Sequence, residues 1–216
     1  MQATPKEVHP LTPGPLRESS FVLDLFCGCA SVTQASIEAQ LPACAVGFYN
    51  PVAIDSLPFL SLDLAIGWAQ QSILHVTNCK QSRTLLWIAP PCGTLSLARE
   101  RPLPAWAQRA GTPSVGPLRS RKHLNGLPSA LRNEKHAGKL TRANALLAFV
   151  FELVATAERL SLPWFIFNPR GRYLWLLPQW ANLTWHDVDF DACAFGGRKK
   201  IRQRMRCPVP WLSSLA

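Results

Sequence analysis

Acidic residues are scarce in this sequence: 13 Asp and Glu stand against 23 Lys and Arg in 216 residues, a formal charge of +10. That imbalance fits a polyanionic partner, because Lys and Arg gain binding free energy by releasing counterions from phosphates. A basic surface that serves solubility alone is the competing reading. An apolar signal core is also missing, since residues 1–20 are polar and rich in Pro. The longest apolar stretch, 143–157, contains Glu152 and reads as a buried helix rather than a membrane span. These absences predict no membrane partner and an intracellular protein, the nucleus included, rather than a secreted one. Zinc-type cysteine spacing is lacking too. The seven cysteines are odd in number, and Cys27 and Cys29 are one residue apart in a strand-to-turn segment. No metal and a reducing compartment follow as expectations. There is no convincing internal repeat, and the length suits one substantial core rather than two full domains.

What is present alternates short apolar strands with helices. Residues 21–26 read as a buried parallel strand, 31–39 as a short helix, 43–49 and 57–62 as further strands. A helix over 65–75 and a strongly apolar strand over 84–89 follow. Residues 140–160 form the strongest helical pattern, 163–167 a strand, 172–180 a short helix limited by Pro178, and 184–190 another strand. This order predicts an α/β domain with a mostly parallel central sheet and helices on both faces. Residues 1–19 are expected to be a flexible lead-in and 20–216 the domain. The segment 99–139, full of Pro, Gly, Arg and Lys without a clear period, reads as a long basic loop.

Ligands of such sheets bind at the carboxyl ends of the strands, near the switch in strand order. Asp24–Leu25–Phe26–Cys27–Gly28–Cys29–Ala30 occupies that place in the first strand-to-helix unit. Gly28 permits a tight turn and close backbone approach, and Asp24 offers charge-assisted hydrogen bonds. Alone, one acid and one glycine equally describe an ordinary tight turn. The second informative stretch is Pro90–Pro91–Cys92–Gly93–Thr94–Leu95–Ser96, delivered by a buried strand to the same edge. A lone cysteine there is either a nucleophile or a small buried hydrophobe.

Taken in order, these motifs resemble the cytosine-5 DNA methyltransferases, a family of S-adenosylmethionine-dependent enzymes with a Rossmann-like methyltransferase domain. The first segment resembles the family's Asp-x-Phe-x-Gly-x-Gly motif around the methionine part of the cofactor. Ala30 replaces the last Gly, a mild change where the backbone angles suit an L-residue. The resemblance implies S-adenosylmethionine as cofactor, with Asp24, Phe26, Gly28, Ala30 and Pro90 around it. Asn50 stands near the place of the usual ribose-binding acid, and Asp63 matches the contact to the adenine amino group. The Pro-Cys motif implies that Cys92 is the nucleophile, because attack at C6 makes C5 of cytosine reactive. Gly93 replaces the frequent Gln. The longer strings, Pro-Pro-Cys-Gly-Thr-x-Ser and the Asn-Pro-x4-Leu-Trp beginning at Asn168, resemble a divergent branch.

Two departures shape the functional expectation. Phe167 stands where the family places the Glu that bonds N3 of cytosine, a role typically worth about 10²–10⁴-fold. Arg170 or Arg172 is the candidate donor in its place. The family's large target-recognition region has no counterpart before Ala216. Contacts to nucleic acid, DNA in this reading, are therefore expected from Arg99, Arg101, Arg119, Arg121, Lys122, Arg170, Arg172, Lys199, Lys200 and Arg204. Two functions remain open at this point: methyl transfer to C5 of cytosine in DNA, and nucleic-acid binding by a catalytically inactive descendant. A methyltransferase for RNA or an amino group is weaker, since amino methylation needs no thiolate.

Overall fold

The computed structural model describes residues 20–48, 57–79, 83–95, 100, 102–112, 116–195 and 200–210. The lead-in assigned to residues 1–19 lies outside them. Seven strands form one sheet: β1 (Ser20–Leu25), β2 (Ala43–Gly47), β3 (Phe59–Ser61), β4 (Arg83–Ile88), β5 (Trp164–Pro169), β6 (His186–Asp191) and β7 (Arg202–Cys207). Their spatial order is β3-β2-β1-β4-β5-β7-β6. The first five are mutually parallel, and β7 is antiparallel to both β5 and β6. This is the α/β architecture read from the sequence, a mostly parallel sheet of Rossmann-like order. The order reverses between β1 and β4, which opens a crevice at their carboxyl ends.

The period of two in each strand sends alternate residues to opposite faces. Leu23, Leu25, Leu86, Ile88, Trp164 and Ile166 share one face, where they meet Ala69, Ile73 and Leu74 of α2 (Gly67–Asn78) and Leu147, Val150, Leu153 and Val154 of α5 (Glu134–Arg159). Each Leu or Ile fully buried there contributes roughly 1.5–3 kcal/mol. Helix α5 is long and apolar enough to cross a bilayer, yet its apolar side is committed to this core, as expected of a buried helix. On the other face, α1 (Ser31–Glu38) packs beneath Asp24. Beyond it Trp87 stacks between Phe165 and Phe167, at 5.8 and 6.0 Å, and Phe167 stacks on Phe190 at 6.0 Å.

The segment 99–139 is not the structureless loop its composition suggests. It contains α3 (Ala105–Arg109), α4 (Pro128–Leu131) and the first turns of α5. The Asn133 side chain caps α5 by accepting from the His136 N–H at 3.1 Å, with Glu134 in the first turn. The helix therefore starts six residues earlier than its apolar pattern. Leu118, Ala130 and Leu140 form a small core of their own, with Leu127 against it. Sparse apolar residues among many charges hid this core from the periodicity. The expected helix over 172–180 resolves into two 3-10 turns, Tyr173–Leu176 and Pro178–Asn182, separated where Pro178 lacks an N–H.

Candidate functional site

A cavity of about 700 Å³ opens at the β1/β4 crevice. Phe26 and Gly28 line it from the end of β1, Gly47 and Phe48 from β2, and Leu62, Asp63 and Leu64 from β3. Pro91, Gly93 and Thr94 close it from β4, and Lys139, Arg142, Ala143 and Leu146 of α5 roof it. The size lies within the range of sites for a nucleoside-sized ligand.

The β1 turn is tight. Phe26, Gly28 and Ala30 all have positive φ, at 60°, 57° and 53°. Ala30, at φ 53° and ψ 30°, is left-handed, so its replacement of a glycine is not mild: an L-residue there carries roughly 1–2 kcal/mol of strain. It is fully buried and is not among the residues that line the cavity. Asp24 is likewise not among the lining residues. Its position on β1 turns it to the α1 face, where Oδ2 accepts from Thr33 N (3.2 Å) and Thr33 Oγ1 (3.0 Å). It thus does the capping that the methyl side chain of Ala30 cannot do. Burial raises the Asp24 carboxyl above its ordinary value, only partly offset by the two Thr33 bonds. Burial and the nearby Asp24 push the Cys27 thiol up to about 11. Gly47 packs closely beside it: a Cβ there would lie 3.2 Å from Cys27 Sγ, so that side chain would have to shift.

The turn that carries Cys92 is held from three sides. Leu95 N donates to Cys92 O at 3.0 Å, and Tyr173 N donates to Leu95 O at 3.0 Å. Buried Asn168 donates through Nδ2 to Pro90 O at 2.8 Å. Pro90 therefore serves as an anchor, and its neighbour Pro91 reaches the cavity. Cys92, half-buried with a free thiol, sits between two cavity-lining residues. Arg119 supplies the third clamp. It is fully buried and donates to Thr94 Oγ1 from Nε (3.3 Å) and Nη2 (3.1 Å), and from Nη1 to Leu124 O. Its assignment to nucleic acid is corrected: the small core around Leu118 carries it inward, and burial lowers its pKa to about 10.

Other basic positions also change character. The antiparallel register of β6 and β7 sets Asp189 opposite Arg204 and Asp187 opposite Arg206. Arg204 donates to Asp189 at 2.7 and 3.0 Å and pairs with Asp187 at 3.0 Å. Arg206, 3% exposed, bonds Asp187 and lies over the rings of Trp175, Trp180 and Trp185. Arg204 is thus an internal partner of acids rather than a phosphate ligand. Arg170 is held by Asp189 at 2.7 Å and partly buried Arg172 follows it, so neither is presented at the cavity wall. Lys200 is exposed, 3.8 Å from Asp191. Arg121 and Lys122 are exposed on a turn closed by reciprocal Ser120–His123 backbone bonds. Asn50, Arg99, Arg101 and Lys199 lie outside the described residues. No cluster of metal-binding side chains occurs among the described residues.

Asp63 is where the sequence reading placed it, on the cavity wall, and Phe26 and Gly28 are beside it. Lys139 and Arg142 were not expected there. Their spacing of three on the polar edge of an otherwise apolar helix was the available signal. Phe167 points into the aromatic stack with Trp87 and Phe190, on the opposite face.

No protein-family model matches the sequence, and no curated protein matches it. Among solved structures, the chain is similar to the Dnmt2 methyltransferase of S. pombe at 13% identity and a TM-score of 0.47. The likeness covers 87% of this chain and 50% of that one, so the chain spans about half the length of that protein.

Proposed function

We propose that this chain binds S-adenosylmethionine in the crevice cavity and transfers methyl to C5 of cytosine in DNA through Cys92. The observation that supports this most is adjacency: one cavity wall runs from the Gly28 turn to the Pro91–Thr94 turn that carries Cys92. The residues present fit the cofactor. Phe48, 61% exposed, carries a ring on which a purine could stack, and the Asp63 carboxylate, already bonded to Arg142, keeps a lone pair for an amino group. Gly28, with nothing within 4 Å of its missing Cβ, leaves room for close approach.

S-adenosylmethionine, when bound, supplies a methyl group on a sulfonium. Cys92, as thiolate, adds Sγ to C6 of a base brought out of its stack, and the C5=C6 electron pair moves into the ring. C5 takes the methyl group, the electrons of the broken sulfur–methyl bond staying on the departing thioether. A base then removes the C5 proton, the C5=C6 bond reforms, and Sγ leaves as thiolate.

A second reading, an inactive nucleic-acid-binding descendant, is favoured by Phe167, whose ring is turned away from the cavity. Calorimetric titration with S-adenosylmethionine separates the two. Micromolar binding, about 8 kcal/mol, supports the first, and its absence in folded protein supports the second. Covalent capture of a cytosine analogue by the wild type and not by Cys92→Ala assigns the thiol. Salt-sensitive DNA binding that survives Cys92→Ala, without S-adenosylmethionine binding, fits the descendant.

A further inference from the structure

We infer that Thr94 is a catalytic hydrogen-bond donor beside Cys92, with Arg119 as its positioning residue. The inference rests on the methyl-transfer reading above and addresses what replaces the acid absent at Phe167.

The argument is one of donor direction. Arg has only donors, so both guanidinium bonds to Thr94 Oγ1, at 3.1 and 3.3 Å, consume acceptor capacity of the hydroxyl. The Thr94 proton is left to point elsewhere. Thr94 lines the cavity, and among the described residues no acceptor is bonded to that O–H. A cation behind a hydroxyl makes it a stronger donor, since the charge polarises the O–H. The cation is unusual in its own right. Arg119 is fully buried, and among the described residues no carboxylate pairs with it. A buried, unpaired guanidinium is costly to keep. Its contacts are the turn after Cys92 and the Leu124 carbonyl.

The ligand chemistry follows. When Cys92 Sγ adds to C6 of a cytosine, the displaced electron pair builds negative charge on a ring acceptor, N3 or the O2 carbonyl. A donor two residues from the nucleophile stabilises that charge without giving up its proton, so the step needs no further acid. Of the two donors named from the sequence, Arg170 is instead bound to Asp189, and Arg172 is not among the residues lining the cavity. Phe167 has no donor to give.

The test uses the rate at which Cys92 forms a covalent adduct with a DNA duplex carrying 5-fluorocytosine, with S-adenosylmethionine present. Iodoacetamide alkylation of Cys92, followed on its own peptide, reports in parallel whether the thiol is still presented. Thr94→Val should slow adduct formation by about ten- to a hundredfold and leave alkylation unchanged. Thr94→Ser, which keeps the hydroxyl, should stay near the wild-type rate. Arg119→Met should slow the adduct more than the alkylation. Thr94→Val at the wild-type adduct rate would overturn the inference, as would parallel losses of adduct and alkylation, the mark of a purely structural clamp. A wild type that forms no adduct overturns the methyl-transfer reading itself, and this role with it.

Discussion

A single nitrogen of Arg142, Nη2, lies 2.7 Å from each carboxylate oxygen of Asp63, joining α5 to the end of β3 across the cavity mouth. The same guanidinium lies 5.9 Å from the Phe48 ring centroid. Burial pushes the Asp63 carboxyl up, but Arg142 and the Ala65 N–H outweigh it and hold the group below its ordinary value. A carboxyl depressed in the fold contributes stability above its unfolded pKa, near 3.9, and loses it as pH falls through the folded value.

Asp63→Asn should therefore be less stable than wild type at neutral pH by a few tenths to about 1 kcal/mol, the scale of a partly exposed pair. The gap should close on acidification below about pH 4. Urea unfolding of both proteins from pH 3 to 7 checks it. A gap that widens in acid would contradict the assignment.

Asp24 predicts the opposite sign. Its folded carboxyl is raised by burial, so its contribution is fully present below the unfolded pKa, near 3.9, and is lost as pH rises through the folded value. Asp24→Asn keeps an oxygen for Thr33 and carries no charge, so it should equal or exceed wild-type stability at pH 7. That advantage should vanish in acid. Asp24→Ala, which removes the cap, should cost about 1–2 kcal/mol. Because Asp24 is absent from the cavity wall, Asp24→Asn should leave S-adenosylmethionine affinity within about threefold.

Ala30 tests the left-handed turn. Ala30→Gly exchanges roughly 1–2 kcal/mol of strain for a lost buried methyl of about 0.8 kcal/mol, giving a neutral to slightly stabilised protein. Ala30→Val adds a β-branch to a fully buried, positive-φ position and should destabilise by more than about 2 kcal/mol. Thermal unfolding ranks the three proteins. Equal stability of the valine variant would refute the φ assignment.

The basic residues divide into two classes that DNA binding should separate. Replacing both Arg121 and Lys122 by Ala should reduce the slope of log affinity against log salt by about one to two and leave stability unchanged. Arg204→Ala should leave that slope unchanged and lower stability instead, because it removes the guanidinium that Asp189 and Asp187 share and leaves each with one Arg, Arg170 and Arg206 respectively. Fluorescence anisotropy at several salt concentrations, beside unfolding curves, decides the matter.

Strands β1, β2, β4 and β5 were legible as short apolar runs, and their parallel order followed from their alternation with helices, whereas β7, with three Arg among its six residues, was not read as a strand. Phe26, Gly28 and Asp63, which line the cavity, were legible as motif positions at strand ends, and Cys92 lies between two lining residues, Pro91 and Gly93. The positively charged stretch was not legible. Composition made Arg119 look like a phosphate ligand, while Leu118, Ala130 and Leu140, far apart in sequence, draw it inside. Strand direction was equally hidden: the Arg residues of β7 look free until the antiparallel register sets an Asp opposite each. The Thr33 contacts of Asp24 were hidden as well, because residue type does not reveal which face of β1 a side chain takes.

The hydrogen bond from Asn168 to Pro90 spans 78 residues, and Tyr173 reaches back to Leu95 over a similar length of chain. During synthesis, the Cys92 turn thus emerges from the ribosome long before the residues that brace it. A nascent chain stalled short of β5 would carry the cysteine without Asn168 or Tyr173 to hold its turn. Arrested or truncated products would therefore expose an unorganised thiol, and maturation of the site would coincide with docking of β5 into the sheet.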